Sequence, residues 1–388
     1  MRALPQETLR PRTPTLEEVA RAAGVSRATA SRVFTASPRV SDEARRSVER
    51  AARQLGYVPN RAARSLVTGR SDSVALVIPE PTTRLFGEPF FPRLVRGIAD
   101  ALSAQDIQLV LLLPQGPADE ARVARYLAAG HVDGALLVSL HGADPLPALL
   151  VERHVPVVVG GRPPRDQPAV SYVDVDNRTG ALTAVGHLAE RGRRRIATIM
   201  GTLDMPPGRD RREGYRRALE EAGLPADRGL EEPGDFSQES GLRAMRSLLE
   251  RRPDLDAVFA ASDLMAAGAL QALRESSRHV PDDVAVVGYD DSPIAASTLP
   301  PLSSVRQPTE EMGREMARLL LAALASGRHV PRQVVLATEL VVRESSGPGG
   351  LEGGDLGVRE RDEDDVRDET DTGSRGDSAP FSNGGETT

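Results

Sequence analysis

The 388-residue chain contains neither cysteine nor tryptophan, which excludes disulfides and thiolate metal sites. Aromatic residues make up only 3%, so any cluster of them carries information. Lysine is also absent, and all 49 basic residues are arginines. No window approaches the roughly 20 apolar residues of a membrane span. The opening residues, MRALPQETLRPRTP, carry charge and proline where a leader would carry an apolar run. A cytoplasmic protein with no membrane partner is expected. Catalytic signatures are missing as well. The six histidines, at 131, 141, 154, 187, 279 and 329, lack metal-ligand spacing, and there is no Gly-rich phosphate loop with a lysine and no Gly-x-Ser-x-Gly elbow. Asp290 and Asp291 could be read as an acid/base pair, but neighbours on a strand point to opposite faces. Asn177-Arg-Thr179 has the pattern of a glycosylation site, which has no use in the cytoplasm. The expectation is a protein without catalytic residues, metal or cofactor.

Net charge is −7, but it is unevenly distributed. Residues 1–70 hold 14 Arg against 6 Asp and Glu, whereas residues 347–388 hold 4 Arg against 12. A basic head can neutralise phosphates. The acidic tail lacks the apolar content to fold and is expected to be disordered. It reads as a solvating segment or as a competitor for the arginine head, and its Arg375-Gly-Asp377 tripeptide reads as chance.

Between Thr15 and Phe34, TLEEVARAAGVSRATASRVF reads as two short helices joined by a turn at Gly24. Thr15 and Glu18 form a capping box, and Leu16, Val19, Ala20 and Ala23 recur at helical spacing. Ser26 can cap the second helix, with Ala30 and Val33 inward and Arg27, Ala28, Ser31 and Arg32 outward. That outer face suits the major groove, where arginine binds guanine and Ala28 packs on a thymine methyl. The same pattern is compatible with an ordinary pair of core helices. Ser41, Asp42 and Glu43 open a third helix that runs to Gly56.

GVSRATASRVF, then VSDEAR, LGYVPNRAARSL and TGR resemble the headpiece of the lactose repressor/galactose repressor family without interruption through Leu66. The resemblance implies that Arg27, Ala28 and Arg32 read bases while Thr29 and Ser31 contact phosphate. It also implies a hinge helix in which Leu66 is a minor-groove wedge, with Ala63 beside it and Asn60 and Arg64 near the backbone. Without the resemblance, Leu66 reads as a linker leucine packed on the next domain.

From Ser73 to Arg343, apolar strand runs start at Val74, Ile107, Gly134, Val155, Ile196, Leu255 and Val284, and amphipathic helices separate them. Such a pattern means parallel sheets covered on both faces. The expected fold is an all-α helix-turn-helix headpiece over 14–59, a hinge over 60–72, and an α/β core of two doubly wound parallel-sheet lobes. The lobes are expected at 73–173 and 174–300, with crossover and closing segments over 301–343 and the disordered acidic tail over 347–388. The core resembles periplasmic sugar-binding proteins, and LATELVVRESS matches the family's closing strand.

Ligands in such sheets bind at the carboxyl ends of strands, here between two lobes. A flat apolar ring stacks on the C–H face of a sugar, while carboxylates and a forked guanidinium bind its hydroxyls. The resemblance carries effector contacts onto Phe90, Arg211, Phe236, Ser262 and Asp290. Asp263 either joins them or caps the helix that follows it, and Phe91 is equally readable as core. Around Arg211, the 209–212 arginines also read as a solvated helix face.

The resemblance implies a homodimeric repressor on a pseudo-palindromic operator, released when a small-molecule effector, a mono- or disaccharide, occupies the cleft. The alternative is a regulator whose purine-like or phosphorylated corepressor strengthens DNA binding. Leu66→Ala is expected to weaken operator binding in a fluorescence-anisotropy titration while leaving effector affinity nearly unchanged. Equal loss of both would remove the wedge role.

Overall fold

The computed structural model describes residues 14–34, 39–58, 69–163, 169–327 and 330–347. The expected hinge residues Asn60, Ala63, Arg64 and Leu66 and the acidic tail from 348 onward lie outside the described residues.

The headpiece is three helices, α1 (Leu16–Ala22), α2 (Arg27–Phe34) and α3 (Asp42–Leu55). At the start of α1, Thr15 N donates to Glu18 Oε2 at 2.7 Å and Glu18 N donates back to Thr15 Oγ1 at 3.3 Å. Two otherwise orphaned amides are thereby satisfied. Gly24, at φ +69°, turns the chain into α2, where Thr29 N donates to Ser26 Oγ at 3.1 Å. Ser41 caps α3 and Gly56, at φ +65°, ends it. Val19, Ala20, Ala30, Val33, Val48, Ala51 and Ala52 form the core, and Tyr57 and Phe34 pack against its edge. These side chains are mostly small, so the three helices approach closely and the outer face of α2 stays free of bulk.

The rest is two six-stranded sheets. The first holds β1 (Ser73–Val77), β2 (Gln108–Leu112), β3 (Gly134–Val138), β4 (Val157–Gly160) and β5 (Ser171–Val175). The second holds β6 (Ile196–Met200), β7 (Glu231–Pro233), β8 (Ala257–Ala260), β9 (Ala285–Asp290) and β10 (Ser303–Arg306). The chain then sends β11 (Gln333–Leu336) back to the first sheet beside β5 and β12 (Glu339–Val341) to the second beside β10. Every pairing is parallel except β10 with β12. Alternate residues feed separate cores: Val74, Leu76 and Ile78 pack on one face of the first sheet, Ala75 and Val77 on the other. Both faces are covered by helices, which is why these strands read as continuous apolar runs.

Seven strands were legible as apolar runs, and β5, β7, β10 and β11 were not. β10 opens with Ser303 and Ser304, both fully buried. Their hydroxyls are satisfied locally, Ser303 Oγ by Arg343 O at 2.9 Å and Ser304 Oγ by Asp263, so polar residues sit in a core strand without penalty. β5 carries a buried Asp174 and runs on to Val175, so the lobe boundary expected at 173/174 falls inside a strand. The closing segment LATELVVRESS spans both sheets, since β11 ends at Leu336 and β12 begins at Glu339. The chain therefore crosses between lobes three times: after β5, after β10, and between β11 and β12.

The helix Thr309–Ser326 belongs to the first lobe, where Met312, Met316 and Leu320 enter its core. It crosses the helix Phe90–Ser103 through a reciprocal glycine pair. A Cβ on Gly97 would overlap Glu310 O, and one on Gly313 would overlap Leu94 O. Gly97→Ala is expected to cost about 1–3 kcal/mol, read from the urea midpoint. Gly186→Ala, in open space on the helix Asn177–Glu190, is expected to be neutral or slightly stabilising.

Candidate functional site: the inter-lobe cleft and the outer face of α2

On α2, Arg27, Ala28 and Arg32 are exposed, whereas Thr29 and Ser31 are half-buried. Arg27 Nε lies 2.9 Å from Glu17 Oε1 of α1, with both side chains exposed. Such a pair is weak in water and is readily exchanged for a phosphate or a base edge. Ser26 Oγ and Thr29 Oγ1 share a hydrogen bond of 2.9 Å.

The carboxyl ends of the strands in both sheets face a common cleft of about 1100 Å³, counting its open mouth. Arg211, on the helix Pro206–Glu221, is its buried centre at 4% exposure. Its Nε donates to Asn177 Oδ1 at 2.9 Å and its Nη1 to Ala261 O at 2.5 Å. Asp290 Oδ1 lies 3.7 Å from Nη1, and the guanidinium sits 3.6 Å above the centroid of the Tyr289 ring. Phe236 lines the cleft beside it, its centroid 5.9 Å from Arg211 and 5.4 Å from Arg84 across the cleft. Gln307 Nε2 holds Asp290 Oδ1 at 2.5 Å. Phe236 at φ +71° and Asp290 at φ +108° both occupy the left-handed region, where non-glycine residues are strained.

Burial pushes the Asp290 carboxyl up to about 6, with Arg211 pulling against it. Burial likewise lifts Asp174 to about 6 and Glu88 to about 7, the latter opposed by Arg84, whose Nε is 2.6 Å from Glu88 Oε1. Ser292 Oγ is buried on the cleft wall and has no hydrogen-bond partner among the described residues.

Of the expected effector residues, Phe90, Arg211, Phe236, Ser262 and Asp290 line the cleft. Asp263 does not. Its Oδ1 accepts from Ser304 Oγ and its Oδ2 from Ser292 N at 2.7 Å, so both oxygens are spent inside the lobe. Nor is it the cap: Ser262 Oγ accepts from Met265 N at 3.2 Å and donates to Phe236 O at 3.2 Å. Phe91 is core at 1% exposure, and Phe90 meets it edge-on at the lip. Arg209 binds the carbonyls of Leu203 and Asp204, and Arg212 binds Glu231, which leaves Arg211 alone of the cluster facing inward. Asp291 turns away from the cleft and pairs with Arg306 at 2.7 Å and Arg343 at 2.6 Å.

Apart from Phe90, the first-lobe wall was not anticipated. Arg84, Glu88, Arg162 and Asp174 line it, and Asn177 and Gln307 complete the floor. Arg162 Nη2 reaches Asp210 Oδ2 of the other lobe at 2.5 Å. Only Asn177 stood in a recognisable motif, and that motif pointed to glycosylation.

Family models match in two places. The bacterial regulatory proteins of the lacI family match residues 15–60, and the periplasmic binding protein-like domain matches residues 185–346. The HTH-type transcriptional regulator CelR of Thermobifida fusca is 54% identical over 339 residues, covering 87% of this chain and 99% of the relative. The ribose operon repressor of Escherichia coli (strain K12) is 35% identical over 337 residues, covering 86% and 99%. The solved transcriptional regulator CelR-cellobiose complex has a TM-score of 0.69 at 52% identity, covering 86% of this chain and 99% of that one. The lac repressor dimer bound to operator and the anti-inducer ONPF has a TM-score of 0.77 at 27% identity, covering 87% and 100%. Among the described residues, no helix is long and apolar enough to cross a membrane.

The buried Asp174 makes stability pH-dependent with a definite sign. Its pKa in the fold, about 6, lies above the ordinary 3.8, so its contribution is intact below the ordinary value and is lost as pH rises through about 6. Asp174→Asn is expected to raise the melting temperature by about 2–4 °C near pH 7.5, with the gain vanishing near pH 4, as followed by calorimetry across pH.

Proposed function

The chain belongs to the lacI family of bacterial regulatory proteins, and we propose that it is a repressor released from its operator by a cellobiose-type disaccharide. The observation that carries this reading is the cleft floor, where Arg211 and Asp290 stand beside Phe236. A pyranose has an apolar C–H face and an equatorial rim of hydroxyls. The ring of Phe236 suits the first, while the forked guanidinium and the carboxylate suit the second. Ser292 Oγ offers one further hydrogen bond. The CelR relative, solved with cellobiose, supports the choice of a β-linked glucose disaccharide.

DNA binding rests on α2. Arg27 and Arg32 reach guanine edges, Ala28 packs on a thymine methyl, and Thr29 and Ser31 position the helix through phosphate. Two such helices on a homodimer require a pseudo-palindromic operator. The 60–72 segment acts as hinge, with Leu66 as the wedge at the operator centre, Ala63 beside it, and Asn60 and Arg64 at the backbone. The protein acts in the cytoplasm, where its DNA lies, as a regulator and not an enzyme. The effector acts by favouring one arrangement of the lobes, and operator affinity falls by the difference in its affinity for the two.

Fluorescence anisotropy with DNA from upstream of the gene tests this at fixed salt. Cellobiose is expected to lower operator affinity at least about tenfold, a coupling of roughly 1.4 kcal/mol, and Arg211→Lys is expected to abolish the response while keeping operator binding. A panel in which no β-glucoside acts, or in which a metabolite raises affinity, rejects the inducer reading.

A further inference from the structure

One group of residues spans the cleft away from its floor. Glu80, just past β1, is 3% exposed, and its carboxylate accepts three hydrogen bonds. They come from Ser139 Oγ at 2.5 Å, Arg84 Nη1 at 2.9 Å and His141 Nε2 at 3.0 Å, all in the first lobe. The other ring nitrogen of His141, Nδ1, lies 2.8 Å from Asp204 Oδ2, on the loop after β6 in the second lobe. Gly142 N donates to Asp204 O at 3.1 Å, so the backbone docks on the same loop. Both nitrogens of the imidazole therefore face carboxylate oxygens. A neutral ring has one N–H and leaves one of these contacts without a proton; the imidazolium donates to both.

We propose that His141 is a positioning residue for effector binding, an imidazolium clasp that ties the first lobe's buried Glu80 to the second lobe's Asp204 and weakens its hold as pH rises. This rests on reading the cleft as the effector site. The charged groups facing the ring are Glu80 with Arg84 behind it, Asp204, and Arg209, whose guanidinium binds the carbonyls of the Asp204 loop at 3.0 and 3.1 Å. The hydrogen bond to Glu80 is the main influence lifting His141 to about 8; burial opposes it and Asp204 adds to it. Asp204 reaches the ring only when the lobes are together, so protonation and closure favour one another. The clasp is present at lower pH and is lost as pH rises through about 8. Another tie between the lobes, Arg162 to Asp210, rests on a guanidinium that keeps its charge throughout this range.

The test uses the full-length protein with two readouts. Calorimetric affinity for cellobiose is expected to weaken roughly fivefold between about pH 6.5 and about pH 9. Asp204→Asn and His141→Gln are expected to bind more weakly at the lower pH and to keep only the smaller slope that Glu88, lifted to about 7 on the same cleft wall, contributes. In parallel, NMR of ¹³C-labelled histidine follows His141 without any ligand, its signal identified by its loss in His141→Gln. A midpoint near 8 that drops in Asp204→Asn supports the clasp. A midpoint at or below the ordinary 6.5, or one unmoved by Asp204→Asn, overturns it, as does an identical affinity slope in all three proteins. Absence of cellobiose binding at every pH counts against that effector, and the histidine titration then decides the clasp alone.

Discussion

A guanidinium buried to 4% exposure is costly unless acceptors surround it, and the second lobe is arranged around that requirement at Arg211. The acceptors come from three directions: Asn177 at the start of one helix, Ala261 O at the end of β8, and Asp290 at the end of β9. Tyr289 supplies a ring face below. Bringing these elements together needs two close approaches. A Cβ on Gly214 would strike Arg178 O, and one on Gly180 would strike Tyr289 Oη. Gly214 lets the Pro206–Glu221 and Asn177–Glu190 helices meet closely enough for Arg211 to reach Asn177, and Gly180 lets the second of these settle onto Tyr289. Once held, the guanidinium has a fixed orientation, and its cost in rotamer entropy falls on folding and not on ligand binding.

Most of this could be read from the sequence where a local pattern recorded it. Thr15 with Glu18, Gly24 and Gly56 are visible as caps and turns because each acts within four residues of itself. Strands such as β3 and β6 are visible because burial on both faces makes nearly every position apolar. β10 is hidden because Ser303 and Ser304 are buried against carbonyl, hydroxyl and carboxylate partners about 40 residues away, which no window of sequence contains. The effector candidates divide on the same principle. Arg211, Phe236 and Asp290 were reached through the family resemblance, and Asp263 followed them because it adjoins Ser262. Whether Asp263 points into the cleft depended on Ser292 and Ser304 claiming its oxygens first. Arg84 and Arg162 went unread because what places them in the site, the Phe236 ring for one and Asp210 for the other, lies in the second lobe.

Three chain crossings join the lobes, so their relative motion has few degrees of freedom, and groups on both walls decide its balance. The second lobe presents the preorganised floor. Opposite it, the first lobe brings Arg84 to within 5.4 Å of the Phe236 ring and Arg162 to Asp210. A ligand lying between them contacts both sides and so shifts the equilibrium by its difference in affinity for the two arrangements; one that touched the floor alone would bind without shifting anything. The strained backbone at Phe236 and Asp290 suits this division, because it fixes the floor's side chains before any ligand arrives.

The chain on the amino-terminal side of β1 is tied to the first lobe at the amino ends of its strands and at a helix end. Ser71 donates from its backbone to Asp133 Oδ1 at 2.6 Å and from its hydroxyl at 3.0 Å, just before β3 begins. Arg70 Nη2 donates to Leu324 O at 3.0 Å, near the end of the Thr309–Ser326 helix. That helix is packed into the first lobe's core and starts two residues after Gln307, the residue that holds Asp290. Residues 70 and 71 are therefore anchored on the first lobe, next to an element that follows directly from the cleft floor. A rotation of the first lobe against the second would carry these two residues with it, because these bonds tie them to its helix and strand ends. Coupling between cleft and DNA then needs no continuous wire of side chains; it needs only a lobe that moves as a body and a chain firmly tied to its edge.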